Sequence, residues 1–207
     1  MPRTYSFAWI RILITACFIA PALLLSSSCA LFSKEDPIDP NDKTLSVIFG
    51  HFDLKDAPSW GGVDWVSVKQ YKPKQAYYSC GVEEGLFWHI GVSKGASIQV
   101  DQFGRGTRWY SNATYTYNFG GQGRNETSKV IKRPGVYYLG SFKYKPIESG
   151  SFFQPDNFDM IKSKTPTEKQ LLIKLIDIMK KDSDLAIYKN QIRMMEKRLK
   201  QLNKRRS

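Results

Sequence analysis

Between residues 108 and 119 the chain alternates without interruption. Trp109, Ser111, Ala113, Tyr115, Tyr117 and Phe119 fall on one side, and Arg108, Tyr110, Asn112, Thr114, Thr116 and Asn118 on the other. Successive side chains of an extended strand point to opposite faces, so period two over this length specifies a strand with one apolar face. Such a strand needs partners for its backbone amides and carbonyls, and the neighbouring sequence supplies them. Residues 45–54 (LSVIFGHFDL) are apolar on both faces, as a central strand would be. VDWVSVKQY, AYYSCGV, LFWHI, ASIQVDQF, TSKVIKR and VYYLGSFKYK follow, separated by DAPSWGG, EEG, GVSKG, GGQGRNE and Pro134-Gly135. Strand-length runs between turn signals predict a mainly β domain over residues 44–161, an antiparallel β-sandwich.

Residue types change after that domain. Thr165-Pro166-Thr167-Glu168 fits a capping box with proline at the first helical position. A helix is expected to run to about Lys181, with Leu171, Leu172, Leu175, Ile176, Ile178 and Met179 on its apolar side. KDSD ends it, and Ser183 or Asp184 can cap a second helix. There Leu185, Tyr188, Ile192, Met195, Leu199 and Leu202 form one stripe. The stripe is under three heptads long, so packing on its own domain is favoured over a coiled coil. Two C-terminal helices over residues 165–207 complete the expected architecture.

The N-terminus has a different character. Residues 1–28 carry Arg3 and Arg11 and no acid, and the run from Ile12 to Leu25 is mostly apolar. That run is too short for a span of ~20 residues, and it ends in small residues, as a secretory signal peptide does. Ser26, Ser27 and Ser28 stand directly before Cys29. This resembles the lipobox of bacterial lipoproteins, although Leu25 sits one place earlier than the usual leucine. The resemblance implies cleavage before Cys29 and acylation of that residue, with palmitate among the chains. Several acyl chains anchor a protein effectively permanently, at about 0.8 kcal/mol per buried CH₂. Ala30, rather than Asp, favours the outer membrane if the cell is Gram-negative. Residues 29–43, with SKEDPIDPNDK, are expected to be a polar tether. Removal of Cys17 with the signal and acylation of Cys29 leave Cys80 alone, so no internal disulfide is available.

Within the domain, GVEEGLFWHIGVSKGASIQVDQF has turns at Gly85 and Gly95 around an aromatic strand, and RPGVYYLG precedes another. This order resembles carboxypeptidase-regulatory-like and transthyretin-like β-sandwiches, and small bacterial lipoproteins of uncharacterised function that share the pG…yyLG ending. The resemblance covers roughly residues 45–145 and implies binding or support of partners. It brings no catalytic residues.

Candidate chemistry is sparse. The two histidines are His51 and His89. Cys80 and His89 are a conceivable thiolate pair, but both fall in expected strands and no nucleophile motif flags them. His51, His89, Cys80 and Asp101 assemble into a metal site only by assumption. Asp53, Asp56 and Asp64, and Glu83 with Glu84, are ordinary turn carboxylates unless the fold pairs them. GGQGRNE lacks the Lys-Ser/Thr of a phosphate-binding loop. No catalytic residue, cofactor or metal is therefore assigned.

Two surfaces are candidates for binding. Trp60, Trp88, Trp109 and Tyr110 are large enough to stack on sugar rings if exposed. Residues 189–207 hold eight basic residues, among them Arg193, Lys197, Arg198, Lys200, Lys204, Arg205 and Arg206, against one acid, Glu196. They suit anionic lipid or an acidic envelope polymer. An exported protein rarely meets nucleic acid, so none is expected. The sequence thus predicts an envelope lipoprotein with a non-catalytic binding or scaffolding role and an unidentified protein partner. The rivals are a carbohydrate- or small-ligand-binding module and an enzyme using an unrecognised carboxylate or Cys80-His89 site.

Overall fold

The computed structural model describes residues 38–57, 62–106, 114–119, 125–146 and 158–204. Over them the chain is mainly β, in a sandwich-like arrangement of two sheets with C-terminal helices. The strands are β1 (Ser46–Asp53), β2 (Trp65–Lys72), β3 (Ala76–Ser79), β4 (Gly81–Glu83), β5 (Leu86–Val92), β6 (Ser97–Gly106), β7 (Thr114–Asn118), β8 (Lys129–Val130), β9 (Val136–Pro146) and β10 (Phe158–Lys162). The first sheet runs β10-β9-β1-β5-β4; the second runs β3-β2-β6-β7, with β8 also on β6. The pairings are antiparallel except β1 with β9. β9 returns beside β1 only after the chain has built the second sheet, so no tight hairpin dictates its direction.

The doubly apolar run at residues 45–54 is a central strand because it has a layer on each side. Ile48 and Phe52 point into the sandwich, among Phe87, Phe103, Phe119 and Phe142. Val47 and Phe49 point the other way, with Leu86, Trp88 and Ile90, and lie beneath the helices. Phe52 stacks at 4.3 Å from Phe103 and 5.0 Å from Phe87, which ties the two sheets through aromatic contacts. β4 and β5 are joined through Glu84 and Gly85, both at positive φ (48° and 80°). A Cβ at Gly85 would stand 2.3 Å from the Phe52 carbonyl oxygen, so the turn requires glycine there.

AYYSCGV is not one strand. It steps between sheets at Cys80, with β3 in the second sheet and β4 in the first. The Cys80 amide donates to the Val66 carbonyl at 3.0 Å at this step. The alternation at residues 108–119 holds where it is described: Tyr117 and Phe119 are buried, and Thr116 and Asn118 are exposed.

Three helices follow: α1 (Glu168–Lys181), α2 (Ser183–Ala186) and α3 (Lys189–Lys204). The first begins two residues later than expected. Thr167, not Thr165, is the N-cap: its hydroxyl accepts from the Gln170 amide, and the Gln170 side chain accepts from the Thr167 amide. The second cap is Asp182, which closes α1 and opens α2, in place of Ser183 or Asp184. Leu171, Leu172, Leu175, Ile176 and Met179 of α1 are buried with Ile192 and Met195 of α3 against the first sheet. The stripe packs on its own domain.

Residues 38–43 are not a free tether. Asp39 accepts from the Asn41 amide, and Asp42 from that of Thr44. Gln191, fully buried, donates to the Asp42 carbonyl at 2.8 Å, and Asn190 to that of Asn41 at 3.2 Å. Partners on α3 offset the poor apolar content of this segment.

Candidate ligand-binding face

The helices cover one face of the first sheet, and the sandwich core occupies the inner faces. The outer face of the second sheet is left. In β2, Val66, Val68 and Gln70 are buried, so Lys69 and Tyr71 take the other face. Lys69 lies opposite Tyr77 in the β2–β3 register. Tyr71 and Tyr77 are 43% and 51% exposed, and Val130 nearby is 46% exposed. These are three of the five large apolar side chains exposed among the described residues, and they gather on one side.

The rings are held in place. The Lys69 ammonium lies 5.2 Å from the Tyr71 ring centre and 5.3 Å from that of Tyr77, within cation–π range of both. The Tyr77 hydroxyl beside it holds this ammonium above the usual lysine range. Gln75 donates to the Tyr77 hydroxyl at 3.1 Å, and Gln99 to that of Tyr71 at 2.5 Å. Gln99 is only 4% exposed, and its carbonyl accepts from the Ser128 hydroxyl at 2.8 Å. Asn125 fastens the covering segment by donating to the Val100 and Phe119 carbonyls, both at 2.7 Å. Beside Tyr71 lies a groove of about 320 Å³ bordered by Lys72, Ile98, Gln99, Ser128, Lys129 and Val130. One ring, one buried amide, two serines and two lysines thus border the groove, with Tyr77 and Lys69 beside it on the same face.

Trp88 does not belong to such a face. It is 8% exposed and packs beneath the helices, because β5 is covered on both sides. Gly81 opposite leaves room for the indole: a Cβ there would stand 2.6 Å from Trp88 Cε2. Trp60, Trp109 and Tyr110 lie outside the described residues, as do Cys29, Arg205 and Arg206. The sequence reading passed over Tyr71 and Tyr77; the alternation Lys69, Tyr71 in β2 was the signal that marked an outward tyrosine.

The two histidines lie in different surroundings. His89 is 7% exposed, stacks on Tyr78 at 4.7 Å, and places Nδ1 at 3.1 Å from the Ser79 carbonyl. Burial holds its pKa at about 4, so the ring is neutral at pH 7 and Nδ1–H donates. A thiolate–imidazolium pair with Cys80 would require the opposite shift. Cys80 itself is half-buried against the sandwich core.

His51 borders a polar cleft of about 790 Å³ with Asp53, Lys55, Asp64, Glu84, Thr165 and Gln170. Burial lowers its pKa, opposed mainly by Asp53, and its Nδ1 has no hydrogen-bond partner among the described residues. The fold therefore brings together acids that the sequence left apart. They already serve the backbone or lysine: Asp53 accepts from the Lys55 amide, Asp64 from that of Gly106, and Glu84 pairs with Lys174. Among the described residues no three His, Cys, Asp or Glu side chains stand together as a metal-ligating group.

The basic helix is partly neutralised. Arg198 makes two bonds to Glu168, at 2.8 and 3.2 Å, which docks α3 to the start of α1. Glu196 is taken by Lys180 at 2.6 Å. Arg193, Lys197 and Lys200 have no ion pair among the described residues. No described helix is long and apolar enough to cross a membrane. Comparison of the chain with protein-family models, curated proteins and solved structures gives no match.

Proposed function

We propose that this chain is a lipid-anchored envelope protein whose β-sandwich binds saccharide, without chemistry, on the outer face of its second sheet. The observation that carries the reading is the pair of exposed, fixed rings at Tyr71 and Tyr77 beside buried Gln99 and the adjoining groove. Aromatic rings offer apolar faces to the C–H side of a sugar, and ammonium groups beside them meet its hydroxyls. Prior fixing lowers the ordering cost of binding. SSSC supports the anchor, which localises the protein to the envelope, with the outer membrane favoured in a Gram-negative cell.

Affinity electrophoresis of the full chain in detergent through gels containing envelope polysaccharide tests the binding. Retardation that Tyr71→Ala and Tyr77→Ala each abolish, with near-UV circular dichroism unchanged, is expected. Retardation indifferent to both variants sinks the reading. Independently, Cys29→Ala is expected to release the protein from membranes or leave it unprocessed. Normal processing and unchanged detergent-phase partitioning of that variant refute the anchor.

A further inference from the structure

We propose that the Tyr71–Tyr77 face is selective for an acidic saccharide, whose carboxylate or other anionic substituents meet Lys69, Lys72 and Lys129. The inference rests on the saccharide reading above and narrows its ligand. Lys69 stands over both rings, so a sugar lying along them lies beside a fixed ammonium. Lys72 and Lys129 border the groove that continues from Tyr71, and both are exposed. None of the three has an ion pair among the described residues. Asp101 is the acid that acts on Lys69. Lys69 over the rings, with Lys72 and Lys129 exposed at the border of the groove, gives this part of the surface a surplus of positive charge. A neutral sugar leaves that surplus unmatched, whereas an anionic one meets it. The geometry favours a saccharide over a bare anion, because the apolar faces of the rings offer nothing specific to inorganic phosphate.

The test uses two forms of one polymer: polygalacturonate and the same polymer after carboxyl reduction. Binding to the full chain in detergent is measured by titration calorimetry. The native polymer is expected to bind about tenfold or more tightly than the reduced one, and to lose that margin at high salt. Lys69→Met, Lys72→Gln and Lys129→Gln should each weaken it about two- to fivefold. The triple variant should bind both forms alike. Tyr71→Ala with Tyr77→Ala should lose both forms, and Arg193→Gln with Lys197→Gln and Lys200→Gln should lose neither. Equal, tyrosine-dependent binding of the two forms would overturn the acidic preference and leave the saccharide face standing. No binding of either form, or binding lost only in the α3 variant, would overturn both.

Discussion

Trp88 separates the fold described here from the alternative that its tryptophans serve as sugar platforms. The indole is 8% exposed and lies between β5 and the helices. A buried aromatic side chain removes roughly 150–250 Å² from water. At about 25 cal/mol per Å² that is roughly 4–6 kcal/mol, an upper figure because the denatured chain is already partly collapsed. Trp88→Ala is therefore expected to cost about 3–5 kcal/mol, a large part of the ~5–15 kcal/mol typical of a domain. The assay is urea unfolding of the full chain in detergent, followed by circular dichroism, with the slope checked for constancy. A second variant reads the same contact from across the sheet. In Gly81→Ala the new Cβ would stand 2.6 Å from Trp88 Cε2 and 2.7 Å from Cζ2, and relief of that overlap is expected to cost about 1–3 kcal/mol. In the Trp88→Ala background that cost should largely vanish, because the overlapping partner is gone. A loss under about 1 kcal/mol for Trp88→Ala, together with lost saccharide binding, would refute the buried placement and the helix layer built on it.

Stability should fall with acid through His89. Its folded pKa, about 4, lies below the ordinary 6.5, so the unfolded chain binds the extra proton first. The contribution is whole above pH 6.5 and is lost between 6.5 and about 4, roughly 3 kcal/mol at most. His51 shifts in the same direction and adds to the slope, and His89→Gln should remove most of it, as read by unfolding at stepped pH. Arg198→Met with Glu168→Gln in a double-mutant cycle should give a coupling of about 1 kcal/mol, because the pair is bidentate and largely shielded; zero coupling would show that α3 docks by its apolar stripe alone. Arg193→Gln, Lys197→Gln and Lys200→Gln together should weaken binding of the full chain to anionic vesicles at low salt and leave helix content unchanged. Equal binding by the triple variant would leave that charge a solvated face.

Most strands were legible because their signal is local, although β10 was not singled out and β3 and β4 were read as one run. Residues 45–54 announce burial on both faces, and the structure supplies a layer on each. The alternation assigns inner and outer sides correctly over Thr116 to Phe119, where burial is described. The start of α1 was legible to within two residues, because both Thr165-Glu168 and Thr167-Gln170 have cap spacing, and Glu168 is taken by Arg198 instead of capping. The break at Ile187 and Tyr188 was not legible, so two helices were expected where three stand. Long-range placement was not legible. Nothing local marks Cys80 as the step between sheets, or tells a polar segment that its carbonyls will meet Gln191. Trp88 was misplaced for the same reason. A tryptophan in a strand is equally compatible with an outer face and with a core, and the covering helices begin 80 residues downstream, at Glu168.

The partition of layers explains why one face carries the functional reading. A two-sheet sandwich alone would present two outer faces. Here α1 and α3 bury Val47, Phe49, Leu86, Trp88 and Ile90, which removes the outer face of the first sheet from contact with a ligand. On the second sheet, the segment around Asn125–Ser128 is fastened over β6 through Gln99, Val100 and Phe119. Among the described residues, Tyr71 and Tyr77 are the large apolar side chains exposed on β2 and β3, with Lys69 half-buried beside both rings. The same Gln99 that anchors the covering segment also fixes the Tyr71 hydroxyl, so loop and ring share one support. Loss of the Gln99 amide in a Gln99→Leu variant should therefore loosen both. Ligand binding should weaken more than stability falls, because the bonds to the Tyr71 and Ser128 hydroxyls are lost at the half-exposed face and the apolar core beneath is left untouched.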